Sequence, residues 1–391
     1  MVNEERLVEQ FLSLVRIDSE TREEEQISAE LKKCFSALGL TLQEDDAMTK
    51  TGHGSNNLIF TLAASAGCEQ AEPIFFTSHM DTVAPGKGIQ PRLDDDGYIR
   101  SDGTTILGAD DKAGLAAMLE AIRLLSEHQI EHGRVQFVIT AGEESGLVGA
   151  RALDASKLDA TYGYALDSNG RIGDICVAAP SQAKIHAVII GRSAHAGVNP
   201  EDGISAIQMA GKAITRMKLG RIDHETTANI GRFAGGGATN IVPERVDIDA
   251  EARSLSQEKL EQQVALMKRA FEETAAEFGG RAEVASELIY PGYRYDETDQ
   301  VVQRAAQAIR RIGLVPKLFH SGGGSDANIF NSLGIPTVNL AVGYEHIHTT
   351  QEQIPVQSIV NLTEVVIAII RAAAEERTGP GSEQDSQQAR S

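Results

Sequence analysis

The sequence predicts an α/β protein: a mixed, mostly parallel sheet flanked by helices, interrupted by an inserted ferredoxin-like α+β domain. Strand-like and helix-like segments alternate over residues 1–182, the order that builds a parallel sheet with helices on its faces. From residue 183 the pattern changes to a β-α-β-β-α-β series of about 110 residues, which suits a small ferredoxin-like unit. At 391 residues the chain is also longer than one hydrophobic core usually organises. The expected division is a discontinuous domain of residues 1–182 and 293–376, an insertion at 183–292, and a polar, disordered tail at 377–391.

The elements follow in order. Residues 1–19 and 28–39 read as amphipathic helices, 57–64 and 73–81 as strands, about Lys112 to His128 as a helix, and 135–142 and 163–167 as strands. In the insertion, AKIHAVIIGR, ANIGRF, VDIDAEARS and AEVASELIY are strand-like, the third with strict alternation. Between them ISAIQMAGKAITRMK and QEKLEQQVALMKRAFEETAAEF read as helices. Helix 299–313, strand 336–343 and helix 358–376 complete the chain.

Composition narrows the function. The chain carries 36 Lys plus Arg against 56 Asp plus Glu, a formal net charge of −20, so phosphate backbones and anionic lipid surfaces would repel it. Neither nucleic acid nor membrane is an expected partner. Three separated cysteines, Cys34, Cys68 and Cys176, give no disulfide framework and no thiolate metal site. The N-terminal helix pattern contains acidic residues and lacks the regions of a signal peptide, and no apolar run was expected to reach the roughly 20 residues that span a bilayer. A soluble, cytoplasmic protein is the expectation.

The chemistry-bearing residues fall where strands run out. In FFTSHMDTV, His79 and Asp81 are two apart, a spacing that in extended backbone points both side chains to one face; one could bind a metal while the other fixes its tautomer. Asp110 and Asp111 open a predicted helix, where Asp is equally favoured for capping. AGEESG supplies Glu143 and Glu144, GYALDSNG supplies Asp167, and GYEHIHTTQEQIP supplies His346 and His348. Each alone could be an ordinary loop.

Taken in order, these five pieces resemble the co-catalytic dinuclear zinc peptidases, the family that includes peptidase T, carboxypeptidase G, succinyl-diaminopimelate desuccinylase, aminoacylase and carnosinase. The resemblance runs from about residue 5 to 376, and GADDKAG, ATNIVPE and EARSL are most similar to peptidase T and its close relatives. It implies a zinc-peptidase catalytic domain with a lid and dimerisation domain. It further implies that His79 is the terminal histidine ligand of one metal, with Asp81 orienting it, that Asp110 bridges two metals, and that Asp111 is not a ligand. Glu144 then belongs to the second metal and Asp167 to the first. The family spacing of a histidine four residues before a glutamate selects His348, with Glu352, while HIH leaves His346 as an alternative.

Adjacent residues leaving a strand cannot aim at one point, so if Glu144 grips a metal, Glu143 faces the water and resembles the general base. In the insertion, His195 of GRSAHAG resembles the histidine that reaches the reacting carbonyl, in many members from the neighbouring subunit. Asn240 matches a substrate-contacting position, and Arg253, thirteen residues on, a carboxylate-binding one; an exposed strand face pairing Arg253 with Asp247, Asp249 or Glu251 is the alternative. In HSGGGSD, Gly324 and Ser325 could present backbone N–H groups to substrate, but the stretch lacks the Lys and spacing of a P-loop.

The resulting expectation is a cytoplasmic, homodimeric metallopeptidase cleaving short peptides, closest to a tripeptide aminopeptidase, with two Zn²⁺ ions. The donor types also suit Co²⁺ or Mn²⁺. An N-acyl-amino-acid amidohydrolase or carboxypeptidase of the same family is the alternative enzyme, and a non-catalytic metal-binding protein the alternative class.

Overall fold

The computed structural model describes residues 2–375, so the tail expected at 377–391 lies outside the described residues. The chain forms two compact units, one from residues 2–177, 295–320 and 325–375, the other from Ala178–Arg294 and Ser321–Gly324.

In the first unit the sheet runs Thr41–Glu44, Leu58–Leu62, Val135–Thr140, Ile74–His79, Tyr162–Ser168, Thr337–Ala341 and the first residues of Asp174–Ala179. The four central strands are mutually parallel, with Phe76 opposite Phe137 and His79 opposite Thr140; the flanking strands are antiparallel. Parallel pairing brings the carboxyl ends of all four central strands to one edge, where open α/β sheets bind their ligands.

Both faces of this sheet are covered, which accounts for strands that are apolar in successive positions rather than alternately. Phe60, Phe76 and Phe137 enter the larger core, while their neighbours Ile59, Phe75 and Val138 enter a smaller one with Phe330. Phe35, from helix Glu25–Ala37, stacks on Phe60 with ring centroids 4.5 Å apart. Gly163 lets the next strand approach, because a Cβ there would lie 2.1 Å from the Phe75 ring.

Helices Glu4–Val15, Ala109–Glu127, Gln300–Arg311 and Val356–Glu375 pack together in the larger core. Contrary to the reading that no run approaches membrane length, Val356–Glu375 is long and apolar enough to cross a bilayer; 61% of its most apolar 18-residue window is buried within the protein. Its Ile359, Leu362, Val366 and Ile369 belong to the same core as Leu115 and Leu119 of helix Ala109–Glu127.

The second unit is an antiparallel sheet in the order Gly220–Arg221, Thr226–Gly235, Arg245–Ser254, Ser181–Ile190 and Arg281–Tyr290. Helices Ala206–Ile214 and Gln257–Glu277 cover one face, burying Ala187, Ile189, Val246, Ile248 and Phe271. The alternation VDIDAEARS thus sends its apolar members inward and Asp247, Asp249, Glu251 and Arg253 outward. The residues expected as an insertion, 183–292, lie within this unit.

Candidate metal centre

Within the first unit, sheet topology assembles the acidic and imidazole groups. His79 ends one central strand, Glu143 and Glu144 follow the next, Asp167 lies near the end of a third, and His348 follows the fourth. Asp110 enters from the start of helix Ala109–Glu127, whose N-cap is Gly108 and has no side-chain cap. Asp110 and Asp111 carry non-helical angles, Asp110 at φ −82° and ψ 100°, so Asp110 projects into the cluster instead of capping.

The Asp110 carboxylate is divided between the two imidazoles. Its Oδ1 lies 3.1 Å from His79 Nε2 and its Oδ2 lies 3.3 Å from His348 Nε2. Asp167 Oδ1 stands 3.8 Å from His79 Nε2, and Glu144 Oε1 is 3.0 Å from His348 Nε2. The left-handed loop at His346 and His348 delivers the His348 ring to these carboxylates.

These separations fit divalent ions. Two donors bound about 2.1 Å from one tetrahedral ion stand about 3.4 Å apart, close to all four distances. The donors are imidazole nitrogen and carboxylate oxygen, the set that zinc, cobalt and manganese accept. The charges point the same way. Burial, followed by the charge of Asp110, pushes the Asp167 carboxyl well above the carboxylate range, and burial raises Glu144. Carboxylates crowded in this way are relieved by a cation.

The imidazoles are prepared as ligands. His79 Nδ1 donates to the backbone oxygen of Asp81 at 2.9 Å, which turns Nε2 toward Asp110 as the nitrogen a metal would take in exchange for its proton. Burial lowers the His79 pKa, but hydrogen bonds to Asp110 and Asp81 outweigh it and hold it well above the usual histidine value. Hydrogen bonds that His348 donates to Asp110 and then to Glu144 raise its pKa to about 10. Despite its own burial, Asp110 is held below the usual range by His348 and His79.

The Asp81 carboxylate is 3.6 Å from His79 Nδ1. Its stronger contacts are with backbone: Oδ1 accepts the N–H of Glu143 at 3.0 Å and Oδ2 that of Glu144 at 3.2 Å. It therefore fixes the turn that separates the two glutamates. Burial, then the charges of Asp167 and Glu144, pushes the Glu143 carboxyl well up.

Further groups hold the ligands in place. Glu352 accepts the N–H groups of Leu107, Gly108 and Asp110 at 2.8, 2.7 and 3.0 Å, holding the loop that presents Asp110. Asn339 holds the Asp167 backbone from both sides, at 2.9 and 2.6 Å, and the Tyr344 hydroxyl donates to Asp167 Oδ1 at 3.1 Å. Asp326 is buried beside Thr140, whose hydroxyl donates to it. Burial raises its carboxyl to about 6. A polar Asn inside the apolar run PTVNLAVG was the one signal that could have marked Asn339.

Asp111, which the resemblance leaves outside the ligand set, has a ligand atom that groups with His79 and Asp167 within 4.8 Å. Its Oδ2 accepts from Ser78 Oγ and from the His79 N–H, and its Oδ1 is buried without a partner among the described residues.

The other expected site residues are placed as follows. In the second unit, His195 and Asn240 are neighbours: the Ala196 N–H donates to Asn240 O at 2.9 Å, and His195 bridges to Ile241. His195 Nδ1 accepts the N–H groups of Gly197 and Val198, both at 3.1 Å, so its proton is on Nε2. Arg253 is tied to Glu251 at 2.8 and 3.3 Å, the local pairing that strand alternation allowed. Gly324 belongs to the second unit and lies against Tyr290, where a Cβ would be 2.4 Å from the ring. Ser325, in the first unit, begins helix Asp326–Ser332 with a capping box to Asn328.

Comparison with known proteins identifies relatives over nearly the whole chain. Residues 75–372 match the family described as Peptidase family M20/M25/M40. The protein YqjE of Bacillus subtilis is 61% identical over 374 residues, covering 96% of this chain and all of that one. A crystal structure of aminopeptidase PepT from Bacillus cereus is 59% identical, with TM-score 0.88 over 95% of this chain and 99% of that one. A tripeptidase from Staphylococcus aureus is 51% identical, with TM-score 0.92 over 96% and 100%.

Proposed function

The chain belongs to peptidase family M20/M25/M40, and from that premise we propose that it is a metal-dependent aminopeptidase acting on tripeptides. The observation that carries the reading is the Asp110 carboxylate shared between His79 and His348 at 3.1 and 3.3 Å, the arrangement a carboxylate needs to serve two ions. The tripeptide reading is supported by the 59% and 51% identities to an aminopeptidase PepT and a tripeptidase.

His79, Asp110 and Asp167 would hold one divalent ion, and His348, Glu144 and Asp110 the other, with zinc the first expectation and cobalt or manganese the alternatives. Such ions, when bound, polarise the scissile carbonyl and lower the pKa of water. Glu143 takes the proton of the attacking water and returns it to the leaving amine nitrogen as the C–N bond breaks. Asp81 serves by holding the Glu143 and Glu144 N–H groups, and Glu352 by holding the Asp110 loop. The Nε2–H of His195 donates to the substrate carbonyl oxygen, while Asn240, Arg253 and the Gly324–Ser325 backbone bind the peptide. For Arg253 to bind a substrate carboxylate, that carboxylate must compete with Glu251. The second unit serves as the dimer contact, and the enzyme works as a cytoplasmic homodimer.

Comparing hydrolysis of free tripeptides with hydrolysis of N-acylated amino acids tests the reading. Faster cleavage of free tripeptides, with release of the N-terminal residue, is expected. Activity confined to N-acylated amino acids would make the protein an amidohydrolase instead.

A further inference from the structure

The loop Ala141–Gly149 carries both glutamates and is gripped on two sides. Asp81 holds one side, as described. On the other lies the segment His53–Asn57, over ninety positions from the far end of the loop. Asn57 Oδ1 accepts the Ala141 N–H at 3.2 Å, and Asn57 Nδ2 donates to Gly149 O at 2.8 Å, closing the two ends of the loop.

Between these contacts sits His53, only 6% exposed. Its Nε2 is 2.8 Å from Ser145 Oγ. Its ring lies beneath Gly142, where φ is +66° and a Cβ would fall 2.4 Å from Cδ2 of the imidazole. Ser145 Oγ donates its own proton to Gly142 O at 3.0 Å, so toward the ring it can only accept. The ring proton is therefore on Nε2, and Nδ1 is the bare nitrogen, buried without a partner among the described residues. One tautomer and one orientation of His53 thus support Gly142 and Ser145, the residues on either side of Glu143 and Glu144.

We propose that His53 is a positioning residue for the Glu143–Glu144 turn, acting through Gly142 and Ser145 to keep one carboxylate on the metal and the other on the water. This rests on the reading of Glu143 as base and Glu144 as ligand. Glu144 is additionally held by the ion it binds, whereas Glu143 depends on the turn alone. Loss of the His53 contact therefore lowers turnover more than substrate affinity.

The test uses the full-length, zinc-loaded protein and its metal-depleted form. H53F keeps a planar ring of similar size but cannot donate; H53Q restores an N–H donor; S145A removes the acceptor. With a tripeptide substrate, H53F and S145A are expected to lose about 10–100-fold in kcat with KM within about twofold, while H53Q recovers to within about threefold of the parent. Equilibrium dialysis with zinc should show one of the two equivalents loosened about tenfold in H53F and the other unchanged. A kcat for H53F within twofold of the parent would overturn the proposal, as would equal losses in H53F and H53Q that track their fall in Tm. Should H53F fail to fold, S145A decides: unchanged kcat in S145A overturns the proposal. A parent protein that binds no zinc or cleaves no tripeptide would sink the functional reading itself, whereas an active parent with unaffected variants sinks only the role of His53.

Discussion

His348 Nε2 lies 3.0 Å from Glu144 Oε1, although 204 positions separate them in the chain. The same ring also meets Asp110 at 3.3 Å. His348→Ala should therefore remove one of two metal equivalents and lower kcat/KM by more than about 100-fold. Metal analysis beside steady-state kinetics checks this; two equivalents retained in the variant would transfer the ligand role elsewhere, with His346 the first candidate.

Among the described residues Glu143 has no such imidazole hydrogen bond, and its backbone is held by Asp81. Glu143→Gln keeps shape and hydrogen bonding but cannot take a proton. Its kcat should fall by about 10²–10⁴-fold with two metal equivalents retained. Turnover close to the parent's would remove Glu143 from the chemistry.

Glu352 satisfies three backbone N–H groups of the loop that presents Asp110. Glu352→Gln leaves one amide oxygen in place of two carboxylate oxygens, so the loop loosens without losing every acceptor. Metal affinity should drop by about 10–100-fold, read by competition with a chelating dye. A variant with parental affinity would show that the Asp110 loop is held by other contacts.

In the metal-free protein, Asp110 and Glu144 raise His348 to about 10, above the roughly 6.5 of an unfolded histidine. A raised imidazole contributes stability that is fully present below the unfolded value and is lost as pH rises through the folded one. Metal-free Tm should therefore fall between about pH 6.5 and 10, and His348→Ala should flatten that slope. Because a metal must displace this proton, binding should release protons in neutral buffer, measurable by calorimetry in buffers of different ionisation enthalpy. Binding with no proton release would contradict the assignment of His348.

Gly163 lies against the Phe75 ring, 2.1 Å from where a Cβ would stand. Gly163→Ala should destabilise the protein by about 1–3 kcal/mol in a denaturant titration while leaving metal stoichiometry unchanged. A neutral result would mean that Phe75 and Phe330, with centroids 4.5 Å apart, shift at little cost.

What the sequence made legible was whatever depends on local pattern. His79, Asp167 and Glu144 follow apolar runs, and a carboxylate or imidazole at the end of such a run is visible without coordinates. The fate of Asp110 was half visible: its place at a helix start suited capping equally well, and only its non-helical backbone and the two facing imidazoles decide it. Groups whose partners come from remote segments stayed hidden. Asn339 holds Asp167 across 172 positions, and His53 meets Ser145 across 92. Asp81 shows the limit from another side, since its spacing from His79 suggested a carboxylate behind the ring, whereas its backbone oxygen takes that place and the carboxylate reaches the Glu143 and Glu144 amides.

The most direct test of a two-ion peptidase centre is a titration of metal-depleted protein with zinc, following tripeptide hydrolysis and bound metal together. Activity should rise until two equivalents per chain are bound and should end at one bound equivalent, with negligible turnover, in His348→Ala. Full activity in the metal-depleted protein, or saturation at a single equivalent in the parent, would contradict the account.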